Sequence, residues 1–226
     1  MGGMTIDGHL ARIREVRHRL AGEGPVWTRQ RDKDFEVVTL PERDCDLLRD
    51  LFIAERVETV VEVGLAYASS ALAIGEALVA VDRPRPRHVI VDPFQRTVWS
   101  DVGWELMRSA GLEPIASLLT EWSSIALPQL VTAGLVVDAA FVDGSHRFHE
   151  VFVDLYFLRK LVRPGGLVVL DDTGWPSVGT AVRYYERNLG WAAIPDAFAG
   201  GTPDRCRAFR LPDSLTEPPF EQFQPF

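Results

Sequence analysis

The segment LVRPGGLVVLDD, residues 161–172, decides the fold prediction. A helix-like stretch ends in a Pro-Gly-Gly turn, Pro164 to Gly166, and an apolar run follows it directly. Short continuous apolar runs bounded by turn residues are typical of strands that are buried on both faces. The segment therefore predicts a buried strand that closes on two carboxylates, Asp171 and Asp172.

The chain around this segment repeats the same pattern of elements. From residue 57, short apolar runs such as TVVEVG (59–64) and HVIVD (88–92) alternate with helical stretches. This alternation is the βαβ rhythm of an open, mostly parallel α/β sheet with helices on both faces. The last two strand candidates, GWAAIPD (190–196) and DRCRAFRL (204–211), have no helix between them. They predict an antiparallel hairpin at the sheet edge.

The same periodicity divides the chain into three segments. Residues 1–56 predict a helical annex or lid, with apolar residues at helical spacing on either side of the polar stretch 26–40, which we interpret as a loop or a short ordered arm. Residues 57–212 predict the α/β core. Residues 213–226 are rich in Pro and Phe, and predict a tail that is either packed by its aromatic side chains or disordered.

Composition limits the classes of partner. The 226 residues carry a formal net charge of −8, which disfavours binding to the phosphate backbone of nucleic acids. No run approaches the roughly 18 apolar residues of a membrane span, and the N-terminal region lacks the apolar core of a signal peptide, so we expect a cytoplasmic protein. Cys45 and Cys206 are too few and too far apart for a disulfide framework or a zinc site. Small molecules are therefore the expected partners.

Polar residues at the ends of the apolar runs mark the expected ligand site, because ligands of such sheets bind outside the carboxyl ends of the strands. Gly64 would let the backbone turn tightly beside a ligand, and Ser69 or Ser70 would cap the helix that follows. Asp92 would accept the hydroxyls of a ribose or, alternatively, cap the turn at Pro93. The loop lacks the glycine pattern of dinucleotide-binding sites, which argues against an NAD-dependent oxidoreductase.

Over residues 57–210 the chain resembles the class I S-adenosylmethionine-dependent methyltransferases. The resemblance is carried, in that family's order along the chain, by Glu62, Gly64, Asp92 and the Pro164–Gly166 turn. The segments FVDGSH (141–146) and DDTGWPSV (171–178) are similar to a bacterial branch of small-molecule O-methyltransferases that tailors sugars and natural products. The resemblance implies a Rossmann-like fold with a seven-stranded, mostly parallel sheet and an antiparallel edge hairpin.

The resemblance also implies S-adenosylmethionine as the cofactor and a small hydroxylated molecule as the acceptor. It assigns cofactor binding to Glu62, Gly64, Tyr67, Ser70, Asp92, Trp122, Ser123 and Asp143. Ala68 departs from the catechol-type members of the family, which commonly carry a glycine there. Trp99, Trp104 and Trp175 are candidates for an acceptor pocket, with packing in the core as the alternative.

A metal site is a further implication of the resemblance. In the metal-dependent catechol-type enzymes, equivalent carboxylates hold Mg²⁺, which assigns the ion here to Asp143, Asp171 and Asp172. A hard cation with oxygen ligands lowers the pKa of the acceptor hydroxyl and fixes its position. Without a counter-charge, three clustered carboxylates would repel one another. Alternatively, Asp172 caps the following turn, and Asp143 caps a helix together with Ser145.

His146 lies three residues after Asp143, where the catechol-type enzymes carry a catalytic lysine. An imidazole can take a proton from a hydroxyl at neutral pH, so we predict His146 as a general base, with Asp143 as the second catalytic residue. A contact with substrate or metal, or a place at the start of a helix, are the alternatives for His146. Asp154 falls within the helix that follows, and we expect it on the outer face.

The predicted function is an S-adenosylmethionine-dependent O-methyltransferase that acts on a small hydroxylated acceptor with the help of Mg²⁺. Two alternatives stay open. One is a metal-independent methyltransferase with His146 as the base, and the other is a noncatalytic S-adenosylmethionine-binding protein whose carboxylates are only caps. A homo-oligomeric assembly also stays open.

Overall fold

The computed structural model describes residues 5–25 and 35–226, and within them the predicted sheet is confirmed. The strands are β1 (Thr59–Val63), β2 (Arg87–Val91), β3 (Ala116–Leu119), β4 (Val137–Val142), β5 (Val162–Leu170), β6 (Ala192–Ala193) and β7 (Arg207–Arg210). They form a seven-stranded sheet in the order β3-β2-β1-β4-β5-β7-β6. Neighbours among β1 to β5 pair in parallel, whereas β7 runs antiparallel to both β5 and β6. The edge hairpin therefore has the predicted orientation.

Helices cover both faces of the sheet. They are α1 (Ile6–Glu23), α2 (Phe35–Val38), α3 (Glu42–Ala54), α4 (Ser69–Val81), α5 (Val102–Ser109), α6 (Ser123–Thr132), α7 (Phe148–Leu161) and α8 (Pro176–Leu189). Alternate strand residues face opposite layers, as the period of two in a strand requires. Val61 and Val63 pack with α6, α7 and α8, whereas Val60 packs with α3 and α4. None of the helices in the described ranges is both long and apolar enough to cross a lipid bilayer.

The annex is joined to the core through α4. Glu76 of α4 is fully buried and pairs with two arginines of α1, Arg14 and Arg17. Arg17 also bonds Asp46 of α3 at 2.8 Å, so one guanidinium links three helices. Part of the predicted loop forms α2, and residues 26–34 of it lie outside the described residues.

The Pro-Gly-Gly segment differs from the sequence prediction of a turn ahead of a strand. α7 ends at Leu161, β5 begins at the next residue, and Pro164 to Gly166 form an irregularity inside the strand. Val162 pairs with Val137, but the next pair is Leu167 with Ala139, so β5 carries extra residues between the two pairs. Gly165 has φ +67°, a left-handed conformation that glycine adopts without strain. Such a bulge depends on the register with β4, which local sequence does not reveal.

The C-terminal tail packs against α7 and α8. Arg159 donates to Glu217 at 2.6 Å and to the carbonyl of Thr216 at 2.8 Å. Phe226 lies edge-on to Tyr184 with ring centroids 5.2 Å apart. Of the two alternatives for residues 213–226, packing through aromatic side chains is therefore the one the structure supports.

The strand order reverses between β1 and β4, since β2 lies on the outer side of β1 and β5 on the outer side of β4. The loops after β1 and β4 leave the sheet in opposite directions at this point and open a cleft at its carboxyl edge. The fold therefore places the ends of β1, β2 and β4 around one potential ligand site.

Candidate functional site

The floor of the cleft is formed where β1 and β4 end. The backbone N–H of Gly64 donates to the carbonyl of Val91 at 2.9 Å, and that of Asp143 donates to the carbonyl of Val63 at 2.8 Å. Gly64 has φ +97°, and a Cβ atom there would collide with the carbonyl oxygen of Asp143. The close approach of the two strand ends therefore requires glycine at this position.

The loop after Gly64 contains two alanines in the left-handed region, Ala66 with φ +42° and Ala68 with φ +65°. This conformation costs an alanine about 1 kcal/mol or more, a cost that the glycine of the catechol-type enzymes avoids. Ala68 is fully buried and directly precedes α4. The two serines predicted as caps bond elsewhere: Ser69 Oγ accepts from Leu40 N–H at 3.0 Å, and Ser70 Oγ donates to Glu62 at 2.5 Å.

Three of the predicted cofactor residues lie behind this loop. Glu62 is fully buried, with Oε2 2.7 Å from Nε2 of His88. Ser70 is its second partner, and Tyr67 packs edge-on against Trp99 with ring centroids 5.3 Å apart. As described, the cleft walls do not include Glu62, Tyr67 or Ser70. These side chains support the loop from the α4 side of the sheet.

A cavity of about 750 Å³ occupies the cleft at the carboxyl edge of the sheet. Its walls include the other predicted cofactor residues and several aromatic side chains: Gly64, Asp92, Trp122, Ser123, Asp143, Phe94, Trp99 and Trp175. The volume is within the range of cofactor and small-molecule sites. Of the three tryptophans predicted for an acceptor pocket, Trp99 and Trp175 are in these walls, and Trp104 instead lies against Arg108.

Asp92 is held rigidly at the end of β2. Its Oδ2 accepts from the backbone N–H groups of Leu65 and Ala66 at 3.1 and 3.0 Å and from Gln95 Nε2 at 2.9 Å. Its Oδ1 accepts from Phe94 N–H at 2.7 Å. The carboxylate therefore orients the glycine loop and the turn after β2, and Oδ1 retains capacity for a further donor.

Asp143, His146 and Asp172 converge at the β4 side of the cavity. His146 Nε2 lies 2.7 Å from Asp172 Oδ2 and 3.8 Å from Asp143 Oδ1. One ligand atom from each of the three residues lies within 4.8 Å of the others. Yet Nε2 is buried and, in the described part of the chain, neither contact has the direction of a hydrogen bond. Three potential ligand atoms thus face a common point without satisfying one another.

Asp143, His146 and Asp172 shift one another's pKa values. The carboxylates of Asp143 and Asp172 raise the pKa of His146 well above its ordinary value, so the imidazole is the local cation. Burial raises the pKa of Asp143, and the nearby carboxylates of Asp171 and Asp172 add to this effect. The contact with His146 lowers the pKa of Asp172. The cluster is therefore short of positive charge.

The His146 ring is held in place by neighbours outside the cluster. It stacks on Trp175, with ring centroids 5.2 Å apart and an interplanar angle of 26°. Its backbone carbonyl accepts from Ser177 Oγ at 2.6 Å. Ser145 does not cap α7, which begins after Arg147, but accepts from the Arg147 N–H at 3.2 Å. The alternative of a Ser145 helix cap is therefore wrong, and the 143–147 segment is a separate turn.

Asp171 points away from this cluster although it adjoins Asp172. Arg205 donates to both of its carboxylate oxygens at 3.0 and 3.1 Å, and Cys206 Sγ donates to Oδ1 at 3.1 Å. Arg205 also bonds the carbonyl of Thr39, just beyond α2. Arg205 was not among the predicted site residues, because nothing in the loop before β7 marks it as the partner of a strand end.

Asp154 is the clearest difference from the sequence prediction. It is 2% exposed and forms part of the cavity wall, so the expected outer-face position is wrong. Helical spacing contained the signal, since Asp154 lies three residues after the buried Val151 and four before the buried Leu158. Burial raises its pKa to about 7. The nearby Ser123 of α6 has the opposite, smaller effect and lowers the pKa of Asp154.

The raised pKa of Asp154 predicts a specific pH dependence of stability. In an unfolded chain the pKa of an Asp is about 3.9, so the folded state is progressively penalised as the pH rises from about 4 to about 7. We expect Asp154→Asn to gain stability relative to the wild type over this interval, by up to about 4 kcal/mol. Urea unfolding of both proteins between pH 4 and pH 8 measures the difference. A difference that stays constant with pH would contradict the prediction.

Comparison with known proteins identifies the fold. The model of a family described as a methyltransferase domain matches residues 61–173. The O-methyltransferase TomG from Streptomyces achromogenes, involved in tomaymycin synthesis and solved in complex with SAM, superposes with a TM-score of 0.64 at 18% identity, over 90% of this chain and 89% of TomG. An O-methyltransferase from Bacillus cereus in complex with SAH superposes with a TM-score of 0.58 at 15% identity, over 89% of this chain and 90% of the other.

No curated protein matches the chain by sequence. The two structural likenesses confirm the predicted Rossmann-like methyltransferase fold. The family match covers the region that holds Gly64, Asp92, Asp143 and His146, and it ends just after Asp172.

Proposed function

The chain belongs to the methyltransferase domain family, and we propose that it is an S-adenosylmethionine-dependent O-methyltransferase that acts on a small hydroxylated acceptor. The observation that carries the proposal is the convergence of Asp143, His146 and Asp172, of which Asp143 and His146 line a cavity that Gly64 and Asp92 also line. The O-methyltransferases of similar fold, with SAM or SAH bound, support the choice of cofactor and of reaction.

When bound, the cofactor would supply a methyl group activated by its sulfonium, and the acceptor oxygen would bond to the methyl carbon as the carbon–sulfur bond breaks and S-adenosylhomocysteine leaves. In the proposal the backbone at Gly64 lies against the methionine part, because a side chain there is sterically excluded. Asp92, whose Oδ1 has capacity for a further donor, would hold the ribose, and Trp122 and Ser123 would hold the adenine. Transfer of this kind demands mainly alignment, so rigid residues such as Asp92 contribute by holding the loop in one position. Glu62, Tyr67 and Ser70 act in the proposal from behind the loop.

A divalent cation fits the residues at the β4 side of the cavity. Two carboxylates and a buried imidazole nitrogen without a directed hydrogen bond form a mixed oxygen and nitrogen donor set, which suits Mg²⁺ or Mn²⁺ through its carboxylates. Such an ion, when bound, supplies the positive charge that lowers the pKa of an acceptor hydroxyl. We propose Asp143, Asp172 and His146 as its ligands. Asp171 would join them only by giving up its three hydrogen bonds to Arg205.

The metal-independent alternative has less support. A general base must be neutral before it accepts a proton, and the flanking carboxylates of Asp143 and Asp172 favour the protonated form of His146. Because a metal ligand must also be neutral, a bound cation would displace the proton from His146 in the proposal, and the coordinated Nε2 would then not act as a base. Trp175 holds the ring in a fixed orientation for either role.

The acceptor is proposed to bind between the cation ligands and the aromatic walls. Trp99 and Trp175 line this part of the cavity and offer flat surfaces to a planar ring. Residues 1–56 are proposed as a lid over the core 57–212. Arg205 links the annex to the end of β5, since it bonds both Thr39 and Asp171.

The proposal predicts that the cofactor binds without an acceptor and that methyl transfer depends on a divalent cation. We expect S-adenosylhomocysteine to bind the protein with a dissociation constant in the micromolar range, measured by calorimetry, and we expect methyl transfer to a library of phenols and sugars to be lost on chelation and restored by Mg²⁺ or Mn²⁺. Activity that persists in chelator would select the metal-independent mechanism. Binding without turnover on any hydroxylated compound would select the noncatalytic alternative.

A further inference from the structure

Asp154 holds a buried carboxylate oxygen for which the protein supplies no donor. Its Oδ1 is buried and, within residues 5–25 and 35–226, has no hydrogen-bond partner, although Asp154 itself lines the cavity. Buried acceptors of this kind are rare because an unmade hydrogen bond destabilises the folded state. Asp92 and Asp171, two other buried carboxylates at this edge of the sheet, each accept several hydrogen bonds, and the unbonded Oε2 of Glu62 lies 2.7 Å from His88 Nε2. The unpartnered oxygen of Asp154 therefore points to a donor from outside the chain.

The position of Asp154 indicates which part of the cavity it serves. It lies on α7, which packs against α6, and Ser123 at the start of α6 lies close enough to affect its carboxylate. Next to Ser123 in the cavity wall are Trp122 and Phe94, whose rings meet edge-on with centroids 5.2 Å apart. Both rings are substantially exposed, at 49% and 40%. This end of the cavity thus combines open aromatic surface, a hydroxyl and an acceptor.

That combination suits a flat heteroaromatic ring with an amino group. Aromatic rings provide a surface for such a ring, and a buried carboxylate provides directional recognition of an N–H donor. Glu150, one turn earlier on α7, is a weaker candidate because Arg147 and Ser145 already engage it. Of the two acidic residues of α7 in this wall, Asp154 is therefore the one that lacks a hydrogen-bond donor for a carboxylate oxygen.

We infer that Asp154 accepts a hydrogen bond from the exocyclic amino group of the cofactor's adenine, and so makes the site selective for 6-aminopurines. The inference rests on the proposed function and goes beyond it by assigning the base specificity to a residue of α7. The desolvated environment of Asp154 strengthens the hydrogen bond, because water does not compete for the oxygen. Asp154 binds ligand in this inference and takes no part in the transfer step.

The test compares S-adenosylhomocysteine with its 6-unsubstituted purine analogue, which lacks only the amino group. For the wild type we expect the analogue to bind about ten-fold or more weakly by calorimetry, as the loss of a hydrogen bond to a buried acidic group implies. In Asp154→Ala the two ligands should differ by less than about three-fold. Asp154→Asn keeps an acceptor oxygen at the same place and should retain most of the preference.

Matched variants separate recognition from a merely structural role. Glu150→Gln makes a comparable change one turn away and should leave the ratio of the two dissociation constants unchanged. If Asp154→Ala does not fold, Asp154→Leu removes the acceptor at similar volume. A ratio that is unchanged in a folded Asp154→Ala or Asp154→Leu protein overturns the inference while the proposed function stands. Failure of the wild type to bind S-adenosylhomocysteine at all overturns both.

Discussion

Asp143→Asn is expected to weaken Mn²⁺ binding by at least about 100-fold and to reduce methyl transfer by a similar factor. Residues that only support metal ligands typically contribute 10- to 100-fold, and a direct charged ligand contributes no less. Asp143 lies at the end of β4, and one ligand atom from each of Asp143, His146 and Asp172 lies close to the others. Loss of the Asp143 charge therefore removes an anionic ligand that neither neighbour replaces. Titration of free Mn²⁺ by electron paramagnetic resonance measures the affinity without an acceptor.

Two further variants make this result specific. Asp213→Asn removes the same charge near Gly165, at the opposite end of β5, and should leave Mn²⁺ affinity within about three-fold of the wild type. Asp171→Asn tests the alternative ligand set. Because Arg205 occupies the Asp171 carboxylate, we expect Asp171→Asn to weaken binding far less than Asp143→Asn. Equal losses in these two variants would mean that Asp171 leaves Arg205 when the ion binds.

Arg205→Met is expected to destabilise the protein by about 3 to 5 kcal/mol. The side chain of Asp171 is fully buried and that of Arg205 is 15% exposed, so removal of the guanidinium leaves a buried carboxylate without its charged partner. The same change also cuts the hydrogen bond from Arg205 to Thr39 that ties the annex to the core. Urea unfolding of the wild type and the variant at pH 7 measures the difference in free energy.

The neighbouring Arg207 is the control for this effect. Arg207 pairs with Glu186 at 2.8 Å with 41% of its side chain exposed, and Arg207→Met should lose no more than about 1 kcal/mol. The double variant Arg205→Met/Asp171→Asn should recover much of the stability, since it removes both charges together. A loss below about 1 kcal/mol for Arg205→Met alone would show that the Asp171 carboxylate is compensated by other groups.

Local pattern was sufficient for the succession of strands and helices along the chain and for the parallel or antiparallel direction of the strands. Apolar runs of strand length, separated by helical periodicity, predicted the parallel sheet, and the absence of a helix between residues 196 and 204 predicted the antiparallel hairpin. These features depend on residues that are close in sequence. The bulge at Pro164 to Gly166 was missed because it arises from the pairing of β5 with β4, whose partner residues lie some distance away in the chain.

The sequence predicted that the site lies at the strand ends. Which of the residues there meet one another depends on the direction of their side chains, which the structure supplies. Asp171 and Asp172 are adjacent, but neighbouring residues point to different sides, and Asp172 has φ +52° at the end of β5. Asp172 therefore meets His146, whereas Asp171 meets Arg205. The sequence does not show which of the two carboxylates faces the cavity, because Asp171 is engaged by Arg205, which lies 33 residues after Asp172 in the chain.

By itself, the sequence determined the α/β class, the sheet with its edge hairpin, and the regions that supply the cavity, because periodicity and turn residues act locally. Tertiary structure alone decided which polar groups meet: Asp143 and Asp172 with His146, Asp171 with Arg205, and Asp154 with α6. The physical reason is that a buried charge or hydrogen-bonding group takes whichever partner packing brings within about 3 Å, and sequence separation does not limit that choice.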